Sequence, residues 1–152
     1  MSTVVAQKRV DNHLFMQEIK RQFHENGKKS VTFIVRGYSM RPFLENNRDK
    51  VILVPPRTPK IGDVVLAEVH DKIYALHRVI KIEENIYTMR GDGNPLKMTE
   101  TFTADRIVGV ADAFVRKGKT VSIHSFKWRF YSTAWNILKP IRRILLAIYR
   151  RI

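Results

Sequence analysis

The hydrophobic positions in the middle of the chain follow the short period that is typical of β-strands. Runs of β-branched and aromatic residues are separated by segments that contain Gly, Pro, Asp or Asn. Such runs predict strands, and the segments between them predict turns. We expect strands at about residues 30–35, 50–54, 64–69, 73–82, 86–90, 106–115 and 120–123. Hairpin turns are expected at residues 70–72 and 83–85, so the fold is predicted to be mainly β and mostly antiparallel.

Helical periodicity is confined to the two ends of the chain. Near the N-terminus, Phe15, Ile19 and Phe23 recur every four residues and predict one apolar face of a helix. We expect this helix to cover residues 11–26 and to pack on the β domain. Residues 1–10 are expected to be loose.

The C-terminal part of the chain combines aromatic, apolar and basic residues. In a helix over residues 141–152, one stripe would hold Ile141, Ile144, Leu145, Ile148 and Ile152. Most of the arginines would fall away from this stripe, and Pro140 should separate the helix from the aromatic segment before it. That segment contains Trp128, Phe130, Tyr131 and Trp135. A basic amphipathic helix with nearby aromatic residues is typical of a helix that lies on a membrane surface.

These patterns divide the chain into three parts: an N-terminal arm and helix (1–29), a β domain (30–125) and a basic C-terminal segment (126–152). The net charge is +14, and ten of the 28 Lys and Arg residues lie from Arg116 onward, together with none of the 14 Asp and Glu residues. Such a segment favours an anionic partner. An anionic membrane surface is the first expectation. Packing on the domain or in a homodimer comes second, and nucleic acid is the least favoured partner.

Several classes of site and segment are excluded by composition. The chain has no cysteine, and its five histidines show no metal-ligand spacing, so neither a metal nor a cofactor is predicted. Residues 1–12 contain no apolar core of a signal peptide, and no run of about eighteen apolar residues occurs that would cross a membrane. We therefore expect a cytoplasmic protein, attached at most peripherally to the inner face of the membrane.

The candidate nucleophile is Ser39, which follows the apolar run of residues 31–35. Gly37 lets the chain turn directly before it, and Pro42 prevents the chain from resuming a helix or a central strand. This places a hydroxyl group in a turn at the end of a strand. A serine hydroxyl needs a base to become a nucleophile, and the segment about forty residues further along the chain contains His77.

Four motifs follow one another in a characteristic order: Gly37-Tyr38-Ser39-Met40-Arg41-Pro42, Gly62-Asp63-Val64-Val65, His77-Arg78-Val79 and Gly91-Asp92-Gly93-Asn94. Together they resemble the motifs of the signal peptidase I and LexA-like serine peptidase superfamily, over roughly residues 31–110. Histidine at position 77 resembles the endoplasmic-reticulum and archaeal-type signal peptidases, since the bacterial enzymes and LexA-like repressors carry lysine there. The resemblance implies a twisted, barrel-like antiparallel β fold with Ser39 as the nucleophile and His77 as the base.

The residue that orients His77 is left open by the sequence. Asp92, in the Gly-Asp-x-Asn turn, is the first candidate. The resemblance implies a relay aspartate some residues beyond this turn, but the corresponding residues 95–100 contain none, so Glu100, Asp105 or a simple Ser–His dyad remain alternatives. Lys72 and Lys81 are alternative bases, but neither lies at the matching position.

The resulting hypothesis is a serine endopeptidase that cuts an extended peptide, removing a leader or signal-type segment from a small precursor. A LexA-like regulator that cuts itself is a second hypothesis. It would need an Ala-Gly or Cys-Gly bond and a DNA-binding module before Ser39, and neither is found there. A third is a non-catalytic protein that binds membrane or nucleic acid through its basic segment.

Overall fold

The described chain, residues 2–138 and 141–151 of a computed structural model, contains more strand than helix, and eight strands form its central sheet. Its strands are β1 (Val31–Ile34), β2 (Lys50–Val54), β3 (Val64–His70), β4 (Ile73–Glu83), β5 (Ile86–Arg90), β6 (Glu100–Phe102), β7 (Ile107–Arg116) and β8 (Lys119–Ser122). A 3₁₀ turn, Ala104–Arg106, precedes β7. The helices within these residues are α1 (Ser2–His24), α2 (Phe126–Ile137) and α3 (Arg142–Arg151).

All pairs of neighbouring strands are antiparallel and form one sheet in the order β1-β2-β7-β3-β4-β5-β6, with β8 also paired to β7. The mainly β, antiparallel class predicted from the sequence is confirmed, and the sheet is open rather than closed. Strands β1 and β6 therefore stand at its two ends. Each pairs on one side only within the described chain.

Seven of the strands lie close to their predicted positions because their apolar runs are long enough to mark them. The predicted hairpins are also present: Lys72 joins β3 to β4 with φ 57°, and Glu84 joins β4 to β5 with φ 52°. Strand β6 was not expected from the sequence. It has three residues and begins with a charged one, so it carries no recognisable pattern.

Helix α1 begins at Ser2, so the expectation that residues 1–10 are loose is wrong for residues 2–10, and Met1 lies outside the described residues. Residues 3–10 contain neither Gly nor Pro, so the backbone can remain helical before Asp11. The face that packs on the sheet also differs in one position from the prediction. It consists of Met16, Ile19 and Phe23, which form one apolar cluster with Leu53, Leu66 and Val108 of the sheet. Phe15 is instead exposed, with its ring in edge contact with the Phe33 ring.

The C-terminal segment forms two helices, α2 and α3, on either side of residues 138–141. Pro140, the predicted separator, and Ile152, the end of the predicted stripe, lie outside the described residues. Helix α2 belongs to the core, because Trp128 and Trp135 are buried and Trp128 packs between Phe43 and Phe114. The tryptophans are therefore unavailable to a membrane surface, and for them the second alternative from the sequence, packing on the domain, applies.

Candidate active site

Ser39 lies in the loop between β1 and β2, and the loop is fixed by its own apolar residues. The three side chains that follow the serine into the core are Met40, Phe43 and Leu44, each at most 2% exposed. Gly37 adopts a φ of 94°, which a residue with a side chain rarely adopts, and its N–H donates to the Asn46 side chain at 2.7 Å. Ser39 is thus held half-buried by anchored neighbours on both sides.

A relay of three side chains connects Ser39 to His77 and Glu100. His77 Nε2 lies 2.9 Å from Ser39 Oγ, and His77 Nδ1 lies 2.9 Å from Glu100 Oε2. The imidazole is buried, while the Glu100 side chain is 23% exposed. A carboxylate accepts a hydrogen bond from Nδ1–H, which leaves the lone pair of Nε2 directed at the serine hydroxyl. This is the arrangement by which a histidine activates a serine.

The fold brings these residues together from distant positions in the sequence. His77 stands in β4 opposite Val65 of β3, and Glu100 opens β6 opposite Met89 of β5. Strand β5 ends at Arg90, and the next residue is a glycine. The pairing of β4 with β5 begins at Arg78 opposite Arg90, so His77 lies just beyond the end of β5, where the Glu100 carboxylate reaches it from β6.

Asp92, the first candidate for orienting His77, has a different partner. Its two carboxylate oxygens accept hydrogen bonds from Arg78 Nε at 2.8 Å and from Arg78 Nη2 at 2.7 Å, and both side chains are almost completely buried. Burial alone would lower the pKa of Arg78, but the Asp92 carboxylate more than offsets this and raises it. The assignment of Asp92 as the partner of His77 is corrected to Glu100, since the Asp92 carboxylate is committed to the neighbouring arginine.

Helix α2 covers this buried ion pair. Arg78 Nη1 donates to Ser132 Oγ at 2.6 Å, and the guanidinium carbon lies 4.6 Å from the centre of the Trp128 ring. Trp135 Nε1 donates to the main-chain carbonyl of Asp92 at 3.1 Å. Since Arg78 is adjacent to His77 in β4, the position of the candidate base depends on contacts with the C-terminal helix. Sequence reasoning treated this helix as separate from the site.

The turn that contains Asp92 also supports the nucleophile loop. Gly93 N–H donates to the Ser39 carbonyl at 2.8 Å. A Cβ at Gly91 would lie only 2.4 Å from the same carbonyl oxygen, and a Cβ at Gly93 would lie 3.0 Å from the carbonyl oxygens of Tyr38 and Arg41. The two glycines therefore allow the turn to lie directly against the backbone of the serine loop, which explains the glycine spacing of this motif.

The remaining candidates from the sequence lie away from the relay. Asp105 is exposed, accepts a hydrogen bond from the Thr103 hydroxyl and lies 3.8 Å from Arg106 Nε. Lys81 is exposed and pairs with Glu83 at 2.9 Å, and Lys72 is exposed in the β3–β4 turn. Neither the third-residue alternative Asp105 nor the two lysines are brought to Ser39.

No protein-family model matches this chain, and a comparison with curated proteins finds no significant similarity. Over residues 2–138 and 141–151, His, Asp and Glu side chains form no group of three that could hold a metal ion. The helices described here also include none that is both long and apolar enough to cross a membrane.

Proposed function

We propose that the protein is a serine endopeptidase in which Ser39 is the nucleophile, His77 the general base and Glu100 the residue that orients the base. The observation that supports this most directly is the continuous relay from Ser39 through His77 to Glu100. The Ser39 Oγ–His77 Nε2 distance and the His77 Nδ1–Glu100 Oε2 distance are both 2.9 Å. A serine, a buried imidazole and a half-buried carboxylate in this order form a constellation that activates a hydroxyl for acyl transfer.

The proposed reaction begins with attack of Ser39 Oγ on the scissile carbonyl while His77 Nε2 accepts the hydroxyl proton. Glu100 stabilises the imidazolium that forms, because its carboxylate already faces Nδ1. His77 then returns the proton to the leaving amine, and an acyl group remains on Ser39. Water activated by the same imidazole releases the acyl group in a second step.

The negative charge on the carbonyl oxygen needs hydrogen-bond donors during both steps. In the described part of the chain, the backbone N–H groups of Ser39 and Met40 donate to no other group. The Ser39 N–H is the candidate donor for this oxyanion. The Met40 N–H follows it in the same anchored loop and is a second one.

The substrate is proposed to be an extended peptide that adds to the open strand edges beside Ser39 and His77. The Val35 N–H donates to the Asp49 carbonyl, and the Val35 carbonyl accepts a hydrogen bond from the Asn47 N–H. Both main-chain groups of Val35 therefore face β2 and the loop that leads to it. By the alternation of an antiparallel strand, Thr32 and Ile34 direct theirs away from β2. The first half of β4, residues 73–77, likewise pairs with β3 alone, because the pairing with β5 starts only at residue 78.

Side chains from the two open edges share one interior. Phe33 of β1 and Leu76 of β4 pack against the same two apolar clusters, and β1 leads to the loop of Ser39 while β4 carries His77. Main-chain hydrogen bonds to such edges would hold any extended peptide, and side-chain contacts would select among sequences. Cleavage of a leader or signal-type segment is the form of this activity that the resemblance to signal peptidases favours.

Self-processing is the less favoured alternative because of the structure that precedes Ser39. Most of the upstream chain is helix α1, Ser2–His24, and β1 occupies Val31–Ile34. A serine peptidase needs an extended substrate backbone, and a helix or a strand paired in the sheet must first unfold to supply one. Within the described residues before Ser39, segments 25–30 and 35–38 lie outside α1 and β1.

The test is to incubate the purified protein with a mixture of extended peptides and candidate precursors and to identify all fragments by mass spectrometry. Fragments should appear with the wild type and with Ser30→Ala, which removes an exposed hydroxyl just before β1, but not with Ser39→Ala or His77→Ala. Fragments that persist with Ser39→Ala would overturn the proposal. Shortening of the protein itself, dependent on Ser39, would instead establish the self-processing alternative.

A further inference from the structure

Helix α2 carries apolar residues on the side opposite to the one that packs on the domain. Its inner side consists of Trp128, Tyr131, Ser132 and Trp135, which contact the core or the Arg78–Asp92 pair. With about 3.6 residues per turn, positions 126, 130 and 137 fall together on the opposite side. Those positions are Phe126, Phe130 and Ile137, which are 82%, 65% and 72% exposed.

Helix α3 repeats this arrangement. Its inner side is attached to the domain by Leu146, which is buried, and by Tyr149, whose hydroxyl donates to Glu45 at 2.9 Å. Ile144 and Ile148 lie one turn apart on the exposed side, and the exposed Ile141 precedes them. We call the six exposed residues of the two helices the outer face: Phe126, Phe130, Ile137, Ile141, Ile144 and Ile148.

The outer face is unusual for a helix that is already docked. A surface helix normally places charged or polar residues opposite its packed side. Isolated exposed apolar residues need no explanation, but several large ones on the exposed side of each of two successive helices indicate an interaction surface. The exposed Phe126 and Phe130 rings stack on each other, with 6.3 Å between the ring centres.

The charge around the outer face selects the kind of partner. The exposed cations Lys127 and Arg129 lie between the two phenylalanines in the sequence, and the exposed Arg150 follows Ile148. No Asp or Glu occurs after Asp112 in the entire sequence. We infer that the outer face binds the surface of an anionic lipid bilayer, with the phenyl and isoleucine side chains among the acyl chains and the cations at the headgroups.

Two other partners fit this surface less well. A symmetric dimer through the outer face would bring two identical cationic segments together, and like charges oppose such contact. Nucleic acid would use the cations and could stack on phenyl rings, but it has no use for the three isoleucines, which have no π-face on which a base can stack. Of these three partners, an anionic lipid bilayer is the one that would contact the aromatic, aliphatic and cationic residues favourably at the same time.

The experiment is co-sedimentation of the full-length protein with vesicles of phosphatidylcholine alone or mixed with phosphatidylglycerol. We expect binding to the mixed vesicles and weaker binding to phosphatidylcholine alone. Ile144→Ser with Ile148→Ser, and separately Phe126→Ser with Phe130→Ser, should lower the affinity for mixed vesicles roughly tenfold or more. Ile73→Ser with Ile86→Ser, at two exposed positions on β4 and β5, is the matched control and should bind as the wild type does.

A charge-reversed pair completes the design. Lys127→Glu with Arg129→Glu should abolish the preference for phosphatidylglycerol, whereas Lys60→Glu with Lys97→Glu, which changes the net charge equally, should retain most of it. The inference is overturned if the outer-face variants bind vesicles like the wild type. It is also overturned if the wild type ignores vesicles but dimerises through these isoleucines or binds DNA with the same dependence on Lys127 and Arg129. This readout needs no peptidase activity and is independent of the proposed function.

Discussion

Arg78 and Asp92 form a two-point ion pair in the interior, with N–O distances of 2.8 and 2.7 Å, one residue away from the candidate base His77. Both side chains are at most 2% exposed. An ion pair in such a place contributes little over a well-packed apolar pair, but removing one partner leaves the other charge buried and uncompensated. The pair therefore connects the stability of the fold to the geometry of the site.

Asp92→Asn should destabilise the protein by about 3–5 kcal/mol, because Arg78 then keeps its charge without a carboxylate partner. Urea denaturation followed by tryptophan fluorescence measures this directly, since Trp128 and Trp135 are both next to the pair. Asp71→Asn, at an exposed turn position, is the control and should change the free energy of unfolding very little. A stable Asp92→Asn protein would show that the pair does not hold the fold together.

Glu100→Gln should have the opposite profile, with a loss of turnover and little loss of stability. The amide keeps the size of the side chain but no longer stabilises the imidazolium and does not enforce the productive tautomer. On the peptide that the wild type cleaves, we expect kcat to fall by at least about tenfold and by up to ~10⁴-fold, with a smaller change in KM. Glu83→Gln, on the exposed end of β4, is the control. Unchanged kcat in Glu100→Gln would mean that Ser39 and His77 act as a dyad.

The contrast between these two carboxylates shows what the sequence could and could not predict. The positions of most strands, and the pairing of Ser39 with His77, follow from local apolar runs and from short motifs. Glu100 was one of three alternatives, because its strand has three residues and no pattern of its own. Asp92 looked catalytic because it lies in a conspicuous Gly-Asp-Gly turn. Only the tertiary structure shows that the adjacent arginine, and not the histidine, turns toward it.

The ends of the chain were predicted less well for a related reason. Periodicity identified an amphipathic helix at each end, but it does not say which apolar residues find a partner. In α1 the buried residue is Met16, whereas Phe15 is exposed. In α2 the tryptophans turn inward and two phenylalanines turn outward. Which apolar residues of a helix become buried depends on the shape of the sheet on which the helix packs, and the sequence of the helix alone does not specify that shape.

Gly91→Ala should impair catalysis more than stability. The added methyl group would lie 2.4 Å from the Ser39 carbonyl oxygen, so the serine loop and the turn must move apart. A displacement of about 1 Å at the nucleophile is expected to lower kcat/KM by roughly 10²-fold. The measurement is kcat/KM beside the free energy of unfolding.

Gly27→Ala is the matched control for that substitution. Gly27 has φ 62° and nothing within 4 Å of the added Cβ, and it lies between α1 and β1. It should cost about 1 kcal/mol of stability through backbone strain and leave kcat/KM unchanged. If Gly91→Ala behaves in the same way as Gly27→Ala, the contact between the turn and Ser39 has no part in positioning the nucleophile.

Asp49 should make the stability depend on pH at acidic values. Burial would raise the pKa of this carboxyl, but hydrogen bonds from Arg48 and from the N–H groups of Glu45 and Lys117 more than offset it, so the pKa is lowered in the folded state. A lowered folded-state pKa contributes stability that is fully present above the unfolded value of about 3.9. That contribution is lost as the pH falls through the folded-state pKa.

Asp49→Asn tests this contribution. The variant should be less stable than the wild type by about 1–3 kcal/mol at neutral pH, because a buried carboxylate with several donors is lost. The difference should begin to shrink as the pH falls below the unfolded-state pKa of about 3.9, and it should be lost below the lowered folded-state pKa, where the wild-type carboxyl is neutral in both states. Free energies of unfolding at a series of pH values measure it. A difference that stays constant down to the acid limit would mean that the effect arises from packing and not from ionisation.

Trp128 and Phe130 lie two residues apart in α2, and their substitutions should have very different effects on stability. Trp128 is 4% exposed and lies 4.6 Å from Phe43 and 4.8 Å from Phe114, between ring centres, whereas Phe130 is 65% exposed. Trp128→Ala should cost about 3–5 kcal/mol. Phe130→Ala should stay within roughly 0.5 kcal/mol of the wild type.

Thermal unfolding by circular dichroism compares the two variants in one experiment. A small effect of Trp128→Ala would mean that α2 is not part of the folded core, and the C-terminal segment would then be an independent appendage. The expected large effect would mean that residues 126–152 cannot be deleted without exposing Phe43 and Phe114. Membrane binding by this segment therefore has to be tested by substitutions on its outer face, because a truncated chain would fail for reasons unrelated to lipid.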